Sequence, residues 1–154
     1  MQLEYFQLVD RVDQLDPQAG FIQCRAEVPE TSTIFEGHFP DLPILPGVLL
    51  VESMAQTSGF LLLTLEDFER LPFLIQIESA KLRTFVVPGE ALRITGALVH
   101  QGSGYAVTKG EIFRGDKSIA SAELRFRIMA FPTEALRDRV RARTEEVGLA
   151  EAIG

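Results

Sequence analysis

The sequence predicts an α+β fold in which an antiparallel β-sheet wraps around one long apolar helix. Residues 46–65 are apolar on nearly every side, residues 73–130 alternate apolar and polar positions as strands do, and short glycine-containing loops separate the alternating runs. A helix that is apolar all round must be covered by protein. We therefore expect the sheet to enclose the helix, and a second copy of the chain to cover the side that stays open.

Length and composition limit the number of domains and the class of partner. The chain has 154 residues, the size of one domain, with residues 1–131 as its main body and residues 132–154 as a C-terminal helical extension. Its 22 acidic and 15 basic residues give a formal net charge of -7, which disfavours binding to nucleic acid. The single cysteine, Cys24, permits neither an intrachain disulfide nor a Cys-based zinc site, and no secretory signal is visible. We expect a cytoplasmic protein.

Three elements are expected in the first half of the chain. Residues 4–10 have the pattern of a short amphipathic helix, and residues 21–28 that of a strand. The central helix over residues 46–65 has Pro46 in its first turn, where the missing N–H is not needed, and Glu52 as its only charge. Its polar side chains argue against a membrane span. They are Ser53, Gln56, Thr57, Ser58 and Thr64.

The second half of the chain predicts four long strands in a meander over residues 73–130. Apolar residues alternate with arginines and other polar residues, most clearly over residues 124–128. Residues 101–104 and 114–117 are short glycine-containing loops, which typically join antiparallel neighbours. Each strand should therefore pair with the next one along the chain.

A C-terminal helix is predicted over residues 132–147. Thr133 is suited to cap its N-terminus, and its apolar positions are Leu136, Val140 and Val147. Four arginines stand two residues apart, so on a helix they spread over two faces. They are Arg137, Arg139, Arg141 and Arg143.

The loop before the central helix has the most unusual local composition. Residues 35–47 contain three prolines and two glycines, which restrict its conformation, and His38 is its one titratable aromatic residue. Glu52, just over one turn into the apolar helix, needs a polar partner or must stay protonated. A histidine base and a protonated carboxyl acid could therefore face one cavity. The alternatives are a structural histidine and a structurally paired glutamate.

Three ordered motifs surround this pair of residues. They are Gly-His-Phe-Pro at residues 37–40, Pro-Ile-Leu-Pro-Gly-Val-Leu at residues 43–49 and Glu-Ser-Met-Ala-Gln at residues 52–56, followed by Gly59. Together they resemble the active-site signature of the 3-hydroxyacyl-[acyl-carrier-protein] dehydratases, a hotdog-fold family of fatty-acid synthesis. The glutamate on the helix is similar to the FabZ type, whereas the FabA type has Asp there. Residues 79–83 and 87–90 resemble the family's third strand and turn, so the likeness spans about residues 1–130.

The resemblance implies dehydration of a (3R)-hydroxyacyl thioester to the trans-2-enoyl thioester. His38 would remove a C2 proton, and Glu52 would protonate the departing 3-hydroxyl. The backbone N–H of Gly59 would polarise the thioester carbonyl. The peptide bond between His38 and Phe39 is expected to be cis, and Phe39, Pro46 and Gly47 would belong to the substrate tunnel or its loop. No metal or cofactor is implied beyond the phosphopantetheine arm of the substrate carrier.

The resemblance also implies partners. An acyl carrier protein would deliver the substrate, and a homodimer or a trimer of dimers would build each site from two subunits. Because such carriers are acidic and this chain has a net charge of -7, docking requires a local cationic surface. The candidates are Lys81, Arg83, Arg125 and Arg127.

Two departures from the family pattern bear on the substrate. The chain continues beyond the last strand, and residues 74–78 lack a glycine that is common at the start of the equivalent strand. The extension and residues 54–63 are similar to a subgroup associated with very-long-chain acyl groups of lipid A. An acyl thioesterase and a non-catalytic subunit that binds acyl chains or a carrier protein are the alternative functions on this fold. The presence of both His38 and Glu52 argues against the non-catalytic subunit.

Overall fold

Six antiparallel strands form one sheet that curves around a long central helix. The computed structural model describes residues 1–153. Its elements are β1 (Arg11–Asp16), β2 (Phe21–Glu27), α1 (Thr33–Gly37), α2 (Gly47–Leu65), β3 (Arg70–Leu82), β4 (Ala91–Gly102), β5 (Tyr105–Arg114), β6 (Lys117–Ala130) and α3 (Glu134–Glu146). The strands lie in the order β1-β2-β4-β5-β6-β3, and α2 contacts β2, β3, β4, β5 and β6. The predicted arrangement of a sheet around a helix is confirmed.

The helix α2 is the core of the protein. It is long and apolar enough to cross a membrane, with a mean hydropathy of 1.5, but 67% of that apolar window is buried inside the fold. Leu50, Met54 and Leu61 are at most 1% exposed. Pro46 is the N-cap of α2, one position before the first turn in which the sequence analysis placed it.

A row of small residues lets α2 lie close to the sheet. Gly96 on β4 pairs with Gly110 on β5, which pairs with Ala122 on β6. A Cβ atom built on Gly96 would lie 3.1 Å from Ser58 Oγ, and one built on Gly110 would lie 2.7 Å from Met54 Cβ. Because a larger side chain at either position would press against its neighbours, most severely at Gly110, these two glycines allow α2 to sit deep in the curve of the sheet.

The predicted four-strand meander is wrong in one respect. The strands β4, β5 and β6 are consecutive neighbours, but β3 lies beyond β6 and does not pair with β4. The connection over residues 83–90 crosses between the two sides, held by hydrogen bonds from Leu45 N to Val86 O and from Gly89 N to Val28 O. Local alternation of apolar and polar residues carries no information about such a crossing. As a result β3 is an edge strand.

The amphipathic helix predicted over residues 4–10 is also wrong. Only a 3-10 turn, Leu3–Tyr5, forms there, and β1, a strand that the sequence analysis did not predict, follows at Arg11. A bulge between Val12 and Gln14 breaks the alternation in β1, so that its buried residues, Val12 and Leu15, stand three apart. Because the two buried residues are three positions apart, β1 lacks the period-two alternation of apolar and polar residues by which strands are recognised in a sequence.

The C-terminal helix α3 is confirmed, with its predicted cap. The Thr133 hydroxyl accepts a hydrogen bond from Leu136 N at 3.2 Å. Of its three predicted apolar positions, Val147 is fully buried and Val140 packs against the core, whereas Leu136 is 36% exposed. The apolar contacts of the helix with the core are thus made mainly by its C-terminal half.

Candidate active site

The N-terminal 3-10 turn, Leu3–Tyr5, and the helix α1 together hold the histidine loop, residues 38–46, in place. The Glu4 carboxylate accepts hydrogen bonds from Ser32 Oγ at 2.8 Å and Thr33 N at 3.1 Å. The bond from Ser32, more than the others, lowers the pKa of Glu4 from its ordinary value. Ser32 also caps α1, which ends at Gly37, one residue before His38. The start of the loop is therefore fixed to the N-terminal segment.

His38 is oriented by its neighbours in the loop. Its backbone N–H donates to Ile34 O at 2.9 Å, and its carbonyl accepts from Ile44 N at 3.0 Å. The ring Nδ1 lies 3.0 Å from Ile44 O. Because a carbonyl oxygen can only accept, Nδ1 carries the proton of the neutral ring and Nε2 keeps its lone pair. His38 can therefore accept a proton at Nε2.

The predicted cis peptide bond between His38 and Phe39 is confirmed. The two rings stack, with 4.4 Å between their centroids. Phe39 and Leu42 exchange backbone hydrogen bonds at 3.2 and 3.0 Å, which closes the turn. Phe39 is 51% exposed, so its ring lies at the surface of a single chain.

Glu52 lies on the one stripe of α2 that the sheet leaves open. Val48 on this stripe is 72% exposed. The residues that follow it on the same helix face, at spacings of four, four and three, are half-buried: Glu52, Gln56 and Gly59. Glu52 Oε1 accepts a hydrogen bond from Gln56 Nε2 at 3.0 Å. This partner meets the need that the sequence analysis recognised for a carboxyl group on an apolar helix.

Gln56 is a site residue whose role sequence reasoning missed. Its Nε2 also donates to Phe6 O at 2.7 Å, and its Oε1 accepts from Leu8 N at 3.0 Å. The amide is thus held by two backbone groups of the N-terminal segment and in turn orients Glu52. The spacing of four residues between Glu52 and Gln56 on a helix was the signal that could have identified the pair.

A cavity of about 600 Å³ opens beside Glu52. It lies between α2, β3 and α3, and Glu52, Gln56 and Gly59 line it from the open stripe of α2. The residues of the same chain that form its lining do not include His38. Within one chain, His38 therefore lies outside the cavity that Glu52 lines.

The role assigned to the Gly59 N–H needs correction. Gly59 lies in the interior of α2, where each N–H donates to the carbonyl four residues before it, so this group is not free to meet a substrate. The free donors are at the first turn, at Gly47 and Val48, because the N-cap Pro46 makes no side-chain capping bond. A Cβ atom built on Gly59 would meet nothing within 4 Å. Its missing side chain widens the cavity.

Comparisons with known proteins identify the family of this chain. A model of the FabA-like domain matches residues 1–123. The chain belongs to the FabA-like family. It is 36% identical over 121 residues to the 3-hydroxyacyl-[acyl-carrier-protein] dehydratase FabZ of Protochlamydia amoebophila, covering 79% of each chain. It is 38% identical over 123 residues to FabZ of Levilactobacillus brevis, covering 79% of this chain and 82% of the relative.

Solved structures confirm the hotdog fold of this FabA-like chain. A dehydratase heterocomplex from Xenorhabdus doucetiae matches with a TM-score of 0.63 and 19% identity, over 88% of this chain and 90% of the other. A hypothetical thioesterase from Streptococcus pneumoniae, crystallised with coenzyme A, matches with a TM-score of 0.61 and 16% identity, over 80% and 90%. At such identities the likeness concerns the fold alone.

The structure separates the four cationic residues of this FabA-like chain into two pairs. In the first pair, Lys81 on β3 lies opposite Ser121 on β6 in the strand register, and Arg83 donates a hydrogen bond to Ser121 Oγ at 2.9 Å. Leu82, between these two residues, packs on Gly47 at the start of α2. The second pair lies about 13 to 20 Å farther along β6, on the outer face of the sheet. It consists of Arg125, which is 3.9 Å from Glu78 and 5.5 Å from the Tyr105 ring centroid, and the exposed Arg127.

Proposed function

We propose that this chain is a 3-hydroxyacyl-[acyl-carrier-protein] dehydratase of fatty-acid biosynthesis, acting in the cytoplasm on (3R)-hydroxyacyl chains. The observation that carries the proposal is a histidine with a free Nε2 and a glutamate on an open helix stripe, in a chain whose FabZ relatives bear that name. A base and an acid are the two groups that removal of water requires.

A shared site between two subunits is part of the proposal. Phe73, Ile75 and Ile77 on the free edge of β3 are each about half exposed, and so is Phe39 at the histidine loop. Apolar surface of this extent on an edge strand favours a partner strand. A second copy paired along β3 would cover it and bring His38 of the partner subunit toward Glu52. A homodimer then contains two complete sites.

The reaction needs two proton transfers, one from C2 and one to the hydroxyl oxygen on C3. His38 Nε2 takes the C2 proton, the bond between C3 and oxygen breaks, and Glu52 gives its proton to the departing hydroxyl, so that water leaves and the C2–C3 double bond forms. Gln56 holds the Glu52 carboxyl in place, and the free N–H groups of Gly47 and Val48 meet the thioester oxygen as negative charge develops. A proton passed from His38 to Glu52 through water restores both groups.

Carrier docking is assigned to Lys81 and Arg83 in this proposal. They lie at the end of β3 beside the first turn of α2, which the histidine loop enters directly. Arg125 and Arg127 lie farther along the outer face, and Arg125 is already close to Glu78. The first pair is therefore placed to hold an acidic carrier whose arm must reach His38.

The test is turnover of carrier-bound 3-hydroxyacyl chains by the purified protein. A dehydratase produces enoyl absorbance with no free thiol, whereas a thioesterase releases thiol. His38→Ala and Glu52→Gln should each lower turnover by about 10²-fold or more. His100→Ala and Glu66→Gln are the matched controls, because they make the same changes on β4 and at the end of α2, outside the site. Release of thiol by the wild type, or near-normal turnover in either site variant, would contradict the proposal.

A further inference from the structure

The helix α3 lies outside the part of the chain that matches the FabA-like domain, yet it helps to form the candidate site. The match ends at residue 123, within β6, and α3 begins at Glu134. Arg139, Val140, Ala142 and Arg143 of α3 line the same cavity as Glu52. This element therefore adds a wall to the cavity that the matched core does not supply.

Contacts at both ends hold α3 in place across α2. Near its start, Arg137 Nε donates to Phe68 O at 3.1 Å, just beyond the end of α2. Near its end, Arg143 donates to the carbonyl of Val9, and Val12 N donates to Val147 O at 2.8 Å. Val147 and the following Leu149 are buried. The helix is thus a fixed wall that runs beside α2.

The cavity has the shape and lining for a flexible apolar chain. From Glu52 to Leu63 it follows α2 over eleven residues, about 16 Å at the rise of a helix. Its walls are mainly apolar, formed among others by Ala55, Phe60, Leu63, Leu71, Leu74 and Val140. Of its charged lining residues, Arg143 and Glu146 pair with each other at 2.9 Å. A substrate that reacts at Glu52 can extend along this cavity only if its remainder is apolar.

We propose that α3 is the wall that makes the enzyme select long acyl chains, through contact of Val140 and Ala142 with the distal part of the chain. This inference rests on the proposed dehydratase function. A chain that lies between α2 and α3 is removed from water on both sides, and a longer chain buries more methylene groups there than a short one does. Each methylene buried in this way raises kcat/KM by up to about fourfold.

The experiment compares kcat/KM for carrier-bound 3-hydroxybutyryl and 3-hydroxymyristoyl substrates. The wild type should favour the long chain. Ala142→Phe places a ring in the cavity and should lower the long-chain value by about tenfold or more, with a change below about twofold for the short chain. Ala135→Phe is the matched control, because it adds the same ring to an equally exposed position on the same face of α3, about two turns earlier and outside the cavity lining.

The outcomes distinguish this inference from the proposed function. A wild type that dehydrates neither substrate refutes the dehydratase function. An active wild type with equal kcat/KM for both chains, or an Ala142→Phe variant that keeps the long-chain preference, refutes the role of α3 alone. Gel filtration supplies a second measurement: if Ala142→Phe dissociates the oligomer, α3 faces the partner subunit and the inference is also wrong.

Discussion

Replacing Gly110 by alanine tests whether the small residues of the sheet control both stability and the position of Glu52. Gly110 lies on β5 directly beneath α2, and Met54 above it is fully buried. The new Cβ atom would lie 2.7 Å from Met54 Cβ and 3.0 Å from Met54 Cγ and Sδ. Met54 Cβ is part of the helix framework, so rotation of the Met54 side chain cannot relieve the closest contact.

The size of the effect follows from these distances. Carbon atoms in good contact are about 3.5 to 4.0 Å apart, so α2 and β5 must separate by roughly 1 Å. Overpacking of this kind costs about 1–3 kcal/mol, and the lower chain entropy of alanine in the unfolded state offsets up to about 1 kcal/mol. We expect a net loss of about 1–2 kcal/mol, which lowers Tm by roughly 2–8 °C in a domain of this size.

Activity should fall with stability, because Glu52 is carried by the same turn of α2 as Met54. A displacement of about 1 Å at a proton-transfer group can lower kcat/KM by up to about 10²-fold. The assays are urea unfolding and turnover of the carrier-bound substrate at a temperature where the variant is folded. Gly59→Ala is the matched control for stability, since its Cβ meets nothing within 4 Å and alanine favours the helix by about 1 kcal/mol. A Gly110→Ala variant as stable as the wild type would refute the packing argument.

Three further predictions concern the subunit interface, the carrier and the buried thiol. Mixing inactive His38→Ala and Glu52→Gln subunits should restore turnover, since each heterodimer assembles one site with both wild-type residues, and verified subunit exchange without activity would rule out a shared site. Arg83→Glu should reduce carrier-dependent turnover and its salt sensitivity while sparing a small thioester, whereas Arg127→Glu, farther from α2, should change neither; equal effects of the two reversals would exclude the docking assignment. Burial raises the pKa of the Cys24 thiol from 9.0 to about 12, so the unfolded chain loses this proton first and the free energy of unfolding should fall as pH rises from about 9 to 12. In urea titrations Cys24→Ala should lack that part of the alkaline loss, and parallel pH profiles for the two proteins would contradict the assignment.

The elements predicted correctly are those whose signals are local. The apolar stretch of α2, the glycine-containing turns between β4, β5 and β6, and the Thr133 cap of α3 each lie within a few residues of the element they determine. The errors concern long-range partners. The position of β3 depends on a crossing connection, and β1 depends on a bulge opposite β2. Neither feature leaves a periodic trace in the sequence.

The candidate site shows the same division between local and distant information. His38 and Glu52 belong to ordered motifs with fixed spacing, so the sequence suffices to propose them as the reacting pair. The Gly59 assignment was wrong because a motif does not show that the N–H of a residue inside a helix is already bonded.

The role of α3 lay beyond sequence reasoning for a physical reason. Arginines two residues apart indicate only that both faces of a helix carry charge. In the folded chain Arg137 and Arg143 attach the helix at its two ends, and Arg139 lies between them at the cavity. Arg137 donates to a carbonyl group 69 residues earlier in the chain, and Arg143 donates to a carbonyl group 134 residues earlier. A local sequence pattern cannot predict partners at such separations. A motif can therefore nominate the proposed reacting groups of this protein, but the wall that would set how much of a substrate fits beside them is determined by contacts that only the folded chain contains.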